Sequence, residues 1–286
     1  MRKKPNFLFI ITDQHRADHL GCYGNDVLRT PAIDGIAARG VRFDNFYASN
    51  PICMPNRATI MTGRMSSLHG VRDNGIPLSL DETTFVELLR ASGYRTALIG
   101  KSHLQNFTGQ PPPYPQRFNP DSDVPPPELR DARHGLRNGP EYGNEQPADW
   151  LSEPPHQVRL PFYGFEHVEL CTEHGDNVRG HYLRWLREKD PDALRLWGPS
   201  NSTRVANRKA PQARRPALPA ELYPTCYVAE RTIAYLDDYA RAGREDPFFI
   251  QCSFPDPHHP FTPPGRYWDL YSPDRKSKRL NSRHTD

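Results

Sequence analysis

The sequence predicts an α/β fold with a largely parallel central sheet flanked by helices. Short, wholly apolar runs such as Phe7-Leu8-Phe9-Ile10-Ile11 read as strands of such a sheet. Stretches of helical period alternate with them. Polar residues stand at the carboxyl ends of the runs (Asp13, Lys101 with His103, and His258 with His259), where parallel sheets gather their ligands. With 286 residues and 36% hydrophobic content, the chain is long enough for one large core.

Taken in order, Phe7–Thr12 reads as a buried central strand with Asp13 at its end. Thr30 and Pro31 read as the cap and first residue of a helix. Its apolar face is Ile33, Ile36 and Ala37, and Gly40 ends it. Residues 41–47 are a second strand. Cys53 then opens a helix, with Pro55 in the first turn, where its missing N–H costs nothing, and Gly63 at the end. Asp81 is the expected cap of a helix carrying Phe85, Leu88 and Leu89, stopped by Gly93. Residues 96–99 form a strand that delivers Gly100-Lys101-Ser102-His103.

Residues 111–155 contain twelve prolines and read as a loop excursion. Following Lys101 and His103, the excursion either lines the entrance to the site or is a surface insertion. Residues 161–170 are a strand and residues 180–189 a helix. Ala229, Ile233, Leu236 and Ala240 repeat at helical spacing, so residues 225–241 are an amphipathic helix. Residues 247–254 are a strand that presents the segment from Asp256 to Phe261.

Composition excludes several classes. The net charge is +3 with both signs interspersed, which gives no nucleic-acid footprint. The five cysteines are an odd set without CxxC spacing, which argues against a disulfide scaffold or a zinc–thiolate site. The apolar run near the N-terminus is too short to span a bilayer and has no cleavage site after it, so the expected location is cytoplasmic, with no membrane partner.

The densest signal is Cys53-Met54-Pro55-Asn56-Arg57, continued to Thr62-Gly63-Arg64. A helix N-terminus directs free N–H groups and partial positive charge towards Cys53, a place that favours an anion. Arg57, one turn on, suits a tetrahedral oxyanion or a carboxylate. Read alone, the cysteine also has a bland reading, a buried structural thiol before an ordinary helix. Asp13 alone is equally a cap, and each lysine or histidine alone an ordinary surface or core residue.

Cys-x-Pro-x-Arg closed by Thr-Gly-Arg resembles the sulfatase signature. The other pieces stand in that family's order: residues 7–13, 30–40, 53–64, 100–103 and 257–264. The chain is thus similar, over nearly its whole length, to the amino-terminal portion of formylglycine-dependent sulfatases. These belong to the alkaline phosphatase superfamily and are related to choline sulfatases and phosphonate monoester hydrolases. The resemblance implies an alkaline-phosphatase-like fold and hydrolysis of a small-molecule sulfate ester. It implies that a maturation enzyme oxidises Cys53 to formylglycine, whose hydrate attacks sulfur and later releases sulfate by elimination. It implies a divalent metal, calcium foremost with manganese or magnesium as alternatives, held by Asp13 and residue 53. Gln14 stands where many relatives have a second Asp, and its side-chain carbonyl would be the group available to a metal there. Arg57 would hold the diol and neutralise charge, Lys101 and His258 would bind sulfate, His103 would orient the diol or accept its proton as the ester breaks, and His258 would protonate the leaving oxygen. Asn74 has two readings, a substrate contact or a turn residue before Gly75. Lys101 and His103 favour sulfate over phosphonate esters.

One departure stands out. The family's second pair of metal ligands, an Asp followed by Asn or His, has no counterpart after Phe261. The expectation is therefore an N-terminal catalytic portion over residues 1–274, truncated at the C-terminus, with residues 275–286 a non-native or disordered tail. The alternatives are a phosphonate or phosphate ester hydrolase of the same superfamily, or an inactive sulfatase-like fragment.

Overall fold

The computed structural model describes residues 4–110, 137, 139–146, 148, 150, 152–204 and 212–271. Most of the proline-rich excursion and the whole 275–286 tail lie outside these residues.

The main sheet has the order β1-β7-β2-β3-β4. Its strands are β1 (Phe7–Thr12), β2 (Arg95–Lys101), β3 (His167–Thr172), β4 (Arg179–Gly180) and β7 (Phe248–Phe254). The first three pairings are parallel, and β4 is added antiparallel. A two-stranded ribbon, β5 (Thr203–Arg204) with β6 (Arg214–Arg215), stands apart. The helices are α1 (Pro31–Arg39), α2 (Cys53–Thr62), α3 (Ser66–His69), α4 (Phe85–Ala91), α5 (His181–Lys189) and α6 (Pro224–Arg241). Two apolar clusters cover the two faces of the sheet. Met54, Ala58, Val86, Leu98 and Phe249 belong to one, under α2 and α4. Ile99, Tyr182, Leu186, Tyr227 and Val228 belong to the other, under α5 and α6. The neighbours Leu98 and Ile99 of β2 thus serve opposite faces, as strand pleating requires.

The registers Thr12↔Phe254 and Gly100↔Ser253 bring the carboxyl ends of β1, β7 and β2 level. The close approach of β2 and β7 depends on Gly100. A Cβ there would sit 1.9 Å from the Ser253 carbonyl oxygen, and the residue has φ +107°.

Several expectations are corrected. β1 is an edge strand among the described residues, not a central one. Phe7, Leu8 and Ile10 are 43%, 46% and 51% exposed, because pairing is made to β7 alone. Residues 41–47 form no strand. They find no neighbouring strand to pair with, and Val41, Phe43, Phe46 and Tyr47 are exposed. The strand expected over 161–170 starts at His167. Before it, Phe162 and Phe165 exchange backbone hydrogen bonds of 2.9 Å across a turn containing Gly164, at φ +91°. Thr84, not Asp81, caps α4. Its hydroxyl accepts from the Glu87 amide while Glu87 accepts from the Thr84 amide, a complete capping box. Thr30 precedes α1 as expected, with Pro31 at the first position. Its hydroxyl, however, accepts from Gly21 N–H and donates to Asp34 instead of capping the helix.

Candidate active site

Three level strand ends and one helix start make the site. Asp13 follows β1, and its amide donates to the Asp256 carbonyl at 3.1 Å, tying the ends of β1 and β7 together. Lys101 ends β2 and is fully buried. Its Nζ is ion-paired with Asp13 Oδ2. Arg57, in the second turn of α2, spans the same ends. It donates to the Lys101 carbonyl at 2.9 Å, to Ser253 Oγ at 3.0 Å and to Asp13 Oδ2 at 3.2 Å. Burial alone would raise the Asp13 pKa. The adjacent Lys101 and Arg57 outweigh it and hold the carboxyl far below the usual range. Burial likewise pulls Lys101 down, with Asp13 opposing.

Cys53 is the first residue of α2. The Ile52 side chain cannot cap the helix, and Asn74 takes over that task. Its Oδ1 accepts from the Met54 amide at 3.2 Å and from Cys53 Sγ at 3.2 Å. Asn74 also precedes Gly75, which lies at φ +93°, as the turn reading expects. Arg57, one turn along the helix that Cys53 opens, ties this helix start to the Asp13–Lys101 pair.

His103 lies at φ +52°, fully buried, with its ring stacked 3.8 Å from Phe107. Both ring nitrogens lack a hydrogen-bond partner among the described residues. Burial first, then Lys101, keeps the ring neutral. His258 follows β7 and is half-buried. Burial holds its pKa below the ordinary imidazole value, and Lys101 reinforces the shift. Its neighbour His259 is turned to Gln14 Oε1 at 2.9 Å.

Asp13, Arg57, Lys101, Cys53 and Asn74 are thus linked, with His103 and His258 beside them. Three residues of the site escaped the sequence reading. Ser253 is one residue inside β7 and holds Arg57. His174 contacts Lys101 and stacks on His258. It stands two residues past β3, so the strand-end rule would have found it had the strand been placed correctly. Glu145, fully buried, accepts from the amides of His103, Leu104 and Gln105 at 2.7, 2.9 and 3.0 Å. It comes from the proline-rich excursion, where no periodicity marks it. Through Glu145 the excursion does reach the site, by bracing the His103 loop.

The metal is a separate question. Among the described residues no group of three or more His, Cys, Asp or Glu could hold an ion. Asp13 is neutralised by two cations, and the Gln14 carbonyl is engaged by His259. Calcium takes six to eight oxygens, so these residues alone do not fit it.

A family model described as Sulfatase matches residues 5–283. The chain belongs to the sulfatase family. An arylsulfatase of Clostridium perfringens is 30% identical over 279 residues, covering 94% of this chain and 46% of the relative. An N-acetylglucosamine-6-O-sulfatase of Bacteroides thetaiotaomicron is 46% identical over 102 residues, covering 36% of this chain and 18% of the relative. Among solved structures, the phosphonate monoester hydrolase of Agrobacterium radiobacter superposes with a TM-score of 0.64 at 25% identity. The match covers 96% of this sulfatase chain and 45% of that one. The chain spans less than half the length of these relatives. The fold is the alkaline-phosphatase-like one of sulfatases and related hydrolases, and the family is one of hydrolases. No helix among the described residues is long and apolar enough to cross a membrane.

Proposed function

We propose that this chain carries the nucleophilic half of the active site of a sulfuric ester hydrolase, with residue 53 as the nucleophile. The observation that carries the reading is the convergence of Asp13, Arg57 and Lys101 at level strand ends beside Cys53 at a helix start. Membership of the family implies formylglycine and a divalent metal. The position of Cys53 fits the first. It is only partly buried, free of any disulfide, and oriented by Asn74. Oxidised to formylglycine by a maturation enzyme, residue 53 would supply a hydrated aldehyde as attacking group. The described residues do not account for calcium or another divalent ion.

The chain's own groups divide the remaining work. Lys101 meets a sulfate oxygen with an ammonium already aimed by Asp13. Arg57 is a tie more than a hand. Its guanidinium joins three strand ends and fixes Asp13, and the N–H groups not used there can make the contact with the diol that the resemblance implies. Asn74 holds residue 53 at the helix start. His103, neutral and with both nitrogens unpartnered among the described residues, would orient the diol or accept its proton, the role the resemblance implies. His258 protonates the leaving oxygen. Its depressed basicity means that it takes up its proton most readily once the anionic ester offsets Lys101.

We further infer a cytoplasmic location, which the five free cysteines support, and that residues 1–274 form one portion of the catalytic domain. A phosphonate monoester is the second reading, favoured by the structural neighbour of that activity. The test is a comparison of kcat/KM for 4-nitrophenyl sulfate and 4-nitrophenyl phenylphosphonate. The sulfate reading expects the sulfate ester to be preferred, and a preference for the phosphonate would replace it with the second.

A further inference from the structure

His174 stands between the two groups assigned to sulfate, Lys101 and His258, yet belongs to none of the motifs read from the sequence. Glu173, at φ +64°, turns the chain just before it. The His174 ring lies 3.8 Å from the His258 ring at 17°, a close stack, and meets His103 edge-on at 5.3 Å. Its Nε2 touches Lys101 Nζ. Burial first, then Lys101 and His258, lowers its pKa to about 2, so the ring is neutral and Nε2 offers a lone pair.

Resting on the sulfatase reading above, we propose that His174 is a positioning residue with two separable tasks: its Nε2 accepts from the Lys101 ammonium, and its ring face fixes the plane of His258. An ammonium has three donors on a flexible stem. Asp13 takes one and His174 a second, which leaves the third for a sulfate oxygen. The imidazole torsion of His258 is intrinsically broad and two-fold. The contact of His258 Nδ1 with the His259 carbonyl narrows that torsion, and the parallel His174 ring at van der Waals distance holds the plane.

Two variants separate the tasks. His174→Gln keeps an acceptor for Lys101 but has no ring; His174→Phe keeps a ring but has no acceptor. The probes are inorganic sulfate, titrated calorimetrically, and the ring-proton resonances of His258, which the stacked ring shifts upfield. Neither needs turnover, so an inactive wild-type protein would count against the sulfatase reading without touching these readouts. His174→Phe should weaken sulfate binding about tenfold, the scale of one charge-assisted hydrogen bond, and keep the His258 resonances upfield. His174→Gln should bind sulfate within about twofold of wild type while those resonances move downfield. Where turnover is measurable, His174→Gln should lower kcat for an alkyl sulfate more than it changes KM. Any other pattern overturns the proposal, including parallel losses in both variants, unchanged behaviour in both, or no sulfate binding by the wild-type protein.

Discussion

At the scale of single residues, the site is a set of buried charges that satisfy one another. Asp13 carries two cations, and Asn74 carries both the Cys53 thiol and a helix amide. Asn74→Ala should therefore act twice. It removes a helix cap, costing about 1 kcal/mol, and frees residue 53, lowering kcat more than it raises KM. Chemical denaturation and steady-state kinetics on one preparation would separate the two effects. His258 supplies a pH signature. Because burial and Lys101 place its pKa below the ordinary value of about 6.5, its acid form is lost as pH rises through that lowered value. kcat/KM for a poor leaving group should fall with rising pH from below about 6.5, and His258→Ala should abolish that limb. Cys53, Arg57, Lys101 and His258 were legible in the sequence because a motif and strand-end placement marked them. His174 and Glu145 were not, because one depended on a strand boundary and the other on a long-range return of the chain.

At the scale of elements, small devices hold the strand ends level. Gly100→Ala would push a methyl group into the Ser253 carbonyl and impose a side chain at φ +107°. The expected loss is about 1–3 kcal/mol from overpacking alone, read as a lower denaturation midpoint, with activity falling because Lys101 is the next residue. Glu145 braces the left-handed His103 loop by three amides. Glu145→Gln replaces one acceptor oxygen by a donor facing N–H groups, and amide exchange at residues 103–105 should quicken. Unchanged exchange there would remove Glu145 from the site. The helices and parallel strands were readable from periodicity. Residues 41–47 misled because an apolar aromatic run looks the same whether or not a neighbouring strand is there to pair with it.

At the scale of the molecule, two features set behaviour in solution. Glu169 of β3 is gripped by Arg231 of α6 at 2.7 and 2.9 Å and by Tyr227 at 3.1 Å. Burial pushes its pKa up, but the bonds from His167 and Arg231 prevail and lower it to about 2. A depressed carboxylate stabilises the fold above its unfolded pKa of about 4.3, and that share is lost as pH falls from there towards about 2. Glu169→Gln should flatten the acid limb of stability followed by circular dichroism. The exposed edge of β1, with Phe7, Leu8 and Ile10, is a template for pairing. The isolated chain should self-associate in light scattering, and Ile10→Lys should reduce this. Edge position was invisible in the sequence, since a run of five apolar residues specifies a strand but not its neighbours. The most direct test of the sulfatase reading is hydrolysis of 4-nitrophenyl sulfate by the wild-type protein and by Cys53→Ala, each made with a maturation enzyme. The prediction is turnover by the wild type, lost by about a thousandfold or more in the variant, as for removal of a nucleophile. Turnover that survives in Cys53→Ala would contradict residue 53 as the nucleophile.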